Sequence, residues 1–192
     1  ITGLTLGYAV FLLPLGAATD RYGEYRTLVL GLLGLATGVL LVAIAPSYVV
    51  LLVTVFLLGS TYGTAIPGTN KAVFDNIDPQ RQNTAIGIKQ VGVTAGSGIS
   101  ALLVTGLADL TSWQTGFFVA SLIAVLVAIA FFVLYHKPSG DGTGTTPDFR
   151  RLASNVPYRA LTAAGFFLGA ELFTTTGYTI LYIEESIGAS VV

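Results

Sequence analysis

Glu171 is the residue whose surroundings most clearly suggest chemistry: a carboxyl near the middle of a long apolar run, followed by Thr175, Tyr178 and Tyr182 at i+4, i+7 and i+11. That spacing puts one polar stripe on a helix otherwise built from Phe, Leu, Ala and Gly. A carboxyl so placed can take up and release a proton as its surroundings alternate between wet and dry. A second candidate is Lys89-Gln90, a turn or two inside another apolar run, where a cation turned toward a central cavity attracts an anion and one turned outward merely snorkels. Tyr62, Asn70 and neighbouring hydroxyls of a third run, Ser60, Thr61, Thr64 and Thr69, can line a polar path. A third group is the polar turn Gly16-Ala17-Ala18-Thr19-Asp20-Arg21-Tyr22-Gly23-Glu24-Tyr25-Arg26. Asp20, Arg21, Glu24 and Arg26 are too costly for a hydrocarbon core, so the turn is expected at the bilayer surface, with Gly23 reversing the chain.

The elements that must hold these groups are membrane helices. The 192 residues are 53% hydrophobic and 10% charged, with a mean hydropathy of +0.78, far more apolar than an ordinary soluble domain. Six apolar segments, 1–18, 27–45, 48–70, 84–107, 114–135 and 157–183, each approach the roughly 20 residues that cross about 30 Å of hydrocarbon. The fold class read from them is an all-α polytopic membrane protein. Five of the six hold a Gly-x-x-x-Gly pair, Gly3/Gly7, Gly34/Gly38, Gly59/Gly63, Gly92/Gly96 and Gly165/Gly169, which suits close helix packing. The exception, 114–135, carries Phe117, Phe118, Phe131 and Phe132 and is expected to face lipid.

Charge gives an orientation. All nine basic residues, Arg21, Arg26, Lys71, Arg81, Lys89, Lys137, Arg150, Arg151 and Arg159, fall in or beside the first, third and fifth connections. The other connections carry only Asp109, Glu184 and Glu185, so the Asp20 turn is expected to be cytoplasmic. Tyr48 and Trp113 then mark the outer interface and Tyr135 the inner one. A net charge of −1 offers no basic surface for nucleic acid, and the absence of Cys removes thiol catalysis, Cys-ligated zinc and disulfides. One His and no paired intramembrane acids give a membrane-embedded enzyme little to work with. Neither a cofactor nor a metal is expected. The sequence contains no Met and opens inside an apolar run, which reads as a fragment of a longer protein.

The turn from Gly16 to Leu28 resembles the loop signature of the major facilitator superfamily, G-x-L-A-D-R-x-G-R-K-x-x-L. Gly16, Asp20, Arg21, Gly23 and Leu28 match, Ala18 stands for the leucine, Glu24 and Tyr25 replace the basic pair, and Arg26 is the nearest substitute for it. The stretch Asp78 to Gly96, with Lys89-Gln90-Val91-Gly92, is similar to the fourth loop and fifth helix of cyanate- and nitrate-type permeases in that superfamily. Aligning the fourth-helix arginine motif on Gly63 puts Gly59 where the arginine stands, and the Gly-Pro pair of drug/proton antiporters is missing from Gly92 to Gly98.

The resemblance implies a twelve-helix bundle of which this chain supplies helices two to seven. On that register 1–136 holds helices two to six, 137–156 is the central cytoplasmic loop with a short surface helix at Phe149 to Ser154, and 157–192 begins the second half. The implied function is secondary transport of a small solute by alternating access, with an anion favoured and H+ as coupling ion, in the cell membrane, by a protein that is monomeric when complete. Its partners are the lipid bilayer and the solute. Glu171, Thr175, Tyr178, Lys89, Gln90, Asn70 and Tyr62 form the expected substrate and proton path, and Gly16, Asp20, Arg21, Gly23 and Arg26 the expected gate. The alternative reading is a non-transporting sensor or remnant of the same family.

Overall fold

A computed structural model of the chain describes residues 2–135, 149–182 and 186. They fold as α-helices with no strand among them: α1 Thr2–Tyr22, α2 Glu24–Ala43, α3 Tyr48–Tyr62, α4 Ala65–Asn76, α5 Gln82–Leu110, α6 Trp113–Leu134, α7 Phe149–Ser154 and α8 Val156–Tyr182. The chain divides into two compact units, Ile1–Thr146 and Pro147–Val192. The linker expected at Lys137 to Pro147, and Glu184 and Glu185, lie outside the described residues.

In the first unit the polar connections are far shorter than sequence suggests. Asp20 and Arg21 belong to the last turn of α1, Glu24 and Arg26 to the first turn of α2, and the reversal is Gly23 alone, at φ 85° and ψ 159°. That φ is open to glycine and strained for any L side chain. The stretch Lys71 to Asn83, expected as a polar loop, is largely helical. α3 and α4 form one membrane-length span, Tyr48–Asn76, because Gly63 and Thr64 keep the chain turning, with the Gly63 amide bonded to the carbonyls of Gly59 and Ser60. Pro67 has no N–H to return to the Gly63 carbonyl, which accounts for the irregular step there. A single 3₁₀ turn, Pro79–Arg81, capped by Asp78 accepting from the Gln80 amide at 2.9 Å, leads into α5.

Among the described residues, five helical spans are long and apolar enough to cross a membrane: Thr2–Tyr22, Glu24–Ala43, Tyr48–Asn76, Pro79–Leu110 and Trp113–Leu134. The sixth expected span exists as the 27-residue α8, sufficient in length, but over the described residues it is less apolar than the five. Arg159, Glu171 and the run Thr174-Thr175-Thr176 dilute its hydropathy. The short surface helix expected at Phe149 to Ser154 is present as α7.

Close packing follows the glycine pairs only in part. A Cβ on Gly7 would run into the Phe56 carbonyl of α3, and one on Gly59 into the Leu4 carbonyl of α1, so these two backbones touch. Gly34 and Gly38 of α2 take the side chains of Thr61 and Leu58 from α3. Gly92, Gly96, Gly165 and Gly169 have nothing within 4 Å among the described residues. α6 packs against α2 through Ser121, whose hydroxyl donates 2.9 Å to the Ala36 carbonyl, and against α5 where Gly116 meets Val104. Its other side leaves Phe118, Leu122, Leu126, Ile129 and Phe132 exposed, in keeping with a lipid-facing surface.

Because α5 is one unbroken helix, its two ends lie about 43 Å apart at 1.5 Å per residue. Cysteines placed at Asp78 and Asp109, both exposed, should therefore react with an impermeant maleimide from opposite sides of the membrane. Labelling of both from one side would remove this arrangement.

Candidate functional site

Two clusters in the first unit and one stripe in the second hold the candidate residues. The first cluster surrounds the Gly23 reversal. The Gly23 amide closes α1 on the Thr19 carbonyl at 3.0 Å, and the Thr27 hydroxyl returns 3.0 Å to the Gly23 carbonyl. Gly16 approaches Pro67 of α4. Asp20, Arg21 and Arg26 are exposed, as a surface turn requires.

Glu24 departs from the expectation. Instead of standing at the surface it is 2% exposed. Its Oε1 accepts from the Tyr135 hydroxyl at 3.2 Å, and Asn76 Nδ2 donates 3.3 Å to that same phenol oxygen. Its Oε2 is buried with no hydrogen-bond partner among the described residues. Burial first, and then the charge of Glu24 and its hydrogen bond, hold the Tyr135 phenol above its ordinary pKa, so the donor keeps its proton throughout the physiological range. Tyr25, beside Glu24, stacks on Tyr135 at 5.9 Å and on Phe131 at 6.1 Å. Here the start of α2 and the ends of α4 and α6 are tied together by one carboxylate and an aromatic stack. Lys71, held by Asp75 at 2.7 Å, stands within electrostatic reach of Glu24 and Asp20.

Sequence reasoning missed Glu24, Tyr135 and Asn76 as a unit. The available signal was that acid and aromatic replace two bases at 24 and 25 while the sixth helix ends in Phe131, Phe132 and Tyr135. A surface position does not require that exchange.

The second cluster joins α4 to α5. Lys89, half-buried, donates to Asn70 Oδ1 and, at 3.2 Å, to Thr69 Oγ1. Among the described residues no carboxylate lies within ion-pair distance of it. Gln90 is exposed and lines a shallow hollow of about 540 Å3 with Thr94. Tyr62 stands apart from Lys89, its ring 5.6 Å from that of Tyr8 on α1. The structure thus brings Lys89 and Asn70 together and leaves Tyr62 and Gln90 as separate exposed polar positions. In the second unit Glu171, Thr175 and Tyr178 are all exposed on α8 at i, i+4 and i+7. Among the described residues no group of three or more His, Cys, Asp or Glu side chains converges on a metal position.

The family model described as Major Facilitator Superfamily matches residues 1–192. The chain belongs to the major facilitator superfamily. A hexuronate transporter of Bacillus subtilis is 31% identical over 133 residues, covering 68% of this chain and 31% of that protein. A triacylglyceride transporter of Mycolicibacterium smegmatis is 29% identical over 134 residues, covering 67% of the chain and 23% of its own length. An uncharacterised MFS-type transporter of Bacillus subtilis is 25% identical over 173 residues, covering 88% and 44%. The chain therefore spans less than half the length of each of these relatives.

The Glu24 network gives a stability prediction. Tyr135→Phe leaves both carboxylate oxygens buried without donors and should cost about 1–3 kcal/mol. Adding Glu24→Leu, which removes the stranded charge, should recover most of that loss. Melting temperatures of the single and double variants in detergent decide it, and strictly additive losses would disprove the coupling.

Proposed function

We propose that this chain is part of a secondary transporter that carries a small organic anion by alternating access, and that Lys89 is the cation the anion meets. The observation that carries the reading is the dress of Lys89. A charged group within a span is costly and marks a pathway by default, and here it is held by two neutral acceptors, Asn70 and Thr69, with no carboxylate at ion-pair distance among the described residues. The similarity to a hexuronate transporter supports a carboxylate-bearing solute. The likeness of Lys89-Gln90-Val91-Gly92 to anion permeases points the same way. Solute binds between the two halves of the complete protein, which rock about it. The protein sits in the cell membrane with the Gly23 turn cytoplasmic, Asp20 acts in the cytoplasmic gate, and Glu171 carries the coupling proton.

In proteoliposomes of the full-length protein, Lys89→Gln should raise the KM for a hexuronate by about tenfold, as loss of one charge-assisted contact implies, and Lys89→Arg should restore part of it. A neutral hexose carried as well as the acid, together with an unchanged KM in Lys89→Gln, would refute the anion reading. Glu171→Gln should abolish accumulation driven by an imposed pH gradient while solute exchange continues. Undiminished gradient-driven accumulation in that variant would remove Glu171 from the coupling step.

A further inference from the structure

A cavity of about 560 Å3 lies between α1, α2 and the α3–α4 junction, away from the Lys89–Asn70 contact. One wall is a row on α1: Phe11, Leu15, Ala18 and Tyr22, spaced as one helical face. Leu30 of α2, 69% exposed, and Tyr22, 52% exposed, form its open lip. The hydroxyls on its floor are already used: Thr27 donates to the Gly23 carbonyl, Ser60 to Phe56, Thr61 to Leu58 and Thr64 to Thr61. They show the cavity their carbon faces, so the interior is in effect hydrocarbon.

Its mouth differs in kind. Arg26 lines it, and the Arg21 guanidinium sits 5.4 Å from the ring of Tyr22 at the same edge. No carboxylate among the described residues is within ion-pair distance of either arginine. Asp20 stands about 200° around α1 from both Ala18 and Tyr22, on the opposite face. Glu24 is buried and bonded to Tyr135. From Tyr22 to Phe11 the groove runs eleven residues, about 16 Å, against about 15 Å for the hydrocarbon of one leaflet.

We propose that this groove is a binding site for an anionic glycerophospholipid of the leaflet that bears the Gly23 turn. One acyl chain lies along Phe11, Leu15 and Ala18, and the headgroup phosphate is held by Arg26 with Arg21 beside it. An apolar slot one leaflet deep with unpaired guanidinium groups at its surface end matches such a lipid in both length and charge. The assignment is independent of what solute the protein carries.

Native mass spectrometry of the full-length protein with phosphatidylglycerol and phosphatidylcholine of identical acyl chains tests it. Wild type should retain phosphatidylglycerol more tightly, by about fivefold for each arginine engaged. Arg26→Gln should lower that preference about fivefold, and Ala18→Phe, which fills the slot, should release both lipids. If Ala18→Phe does not fold, Leu30→Trp at the exposed lip serves instead and should weaken both lipids. Equal retention of the two lipids by wild type overturns the charge assignment. Retention unaffected by either slot variant overturns the groove. Retention of neither lipid by wild type means that another helix of the complete protein covers the slot, and also overturns the proposal.

Discussion

Hydrocarbon offers a helix neither a hydrogen-bond partner nor a hydrophobic reason to leave lipid for another helix. What remains is contact at short range, and the first unit is organised by where backbones can touch. α1 and α3 meet at Gly7 and Gly59, each lying against a carbonyl of the other helix. α2 accepts Thr61 and Thr64 of the α3–α4 span against Gly34 and Gly31, while Ser121 reaches a carbonyl of α2 from α6. The same demand explains the hydroxyls. Thr19, Thr27, Ser60, Thr61 and Thr64 each return their proton to a carbonyl of their own chain three or four residues back. Small polar residues can therefore pack between helices without stranding a donor.

This logic was partly legible in the chain. Apolar runs located five spans to within a few residues, because a stretch long enough to cross a bilayer leaves little else for its residues to be. Span ends were less legible. Asp20, Arg21, Glu24 and Lys71 look like loop residues by polarity, yet helices continue through them, since a membrane helix that emerges at the surface has no reason to stop where its apolar run stops. Glycine spacing marked five pairs but could not say which have a neighbour. Gly7 and Gly59 do, whereas Gly92 and Gly96 meet nothing among the described residues, and spacing is identical in both cases.

Glu24 was illegible for a different reason. Its partner Tyr135 lies 111 positions away, and Asn76, which donates to that phenol oxygen, lies 52 positions away, so only the tertiary fold assembles the three. Polarity placed it at the surface, which is where an acid goes when nothing buries it. The structure buries it because the ends of α4 and α6 close over the start of α2, with Tyr25, Phe131 and Tyr135 supplying the apolar cover. Where the signature has a base, this chain has a buried acid that ties three helices together.

Three ionised side chains near one end of the first unit show how the fold decides what a charge can do. Lys71 is joined to Asp75 at 2.7 Å; the pair is partly exposed, and its charges largely cancel at a distance. Glu24 is enclosed, and its carboxylate acts on Tyr135 and Lys71. Lys89 is half-buried and held by an amide and a hydroxyl, groups that fix its position and leave its net charge intact. A salt bridge in its place would give a similar position at the loss of that field, because Coulomb attraction for an incoming anion would be offset by repulsion from the bound carboxylate. Of the three, Lys89 alone combines a fixed position and partial exposure with no carboxylate at ion-pair distance among the described residues.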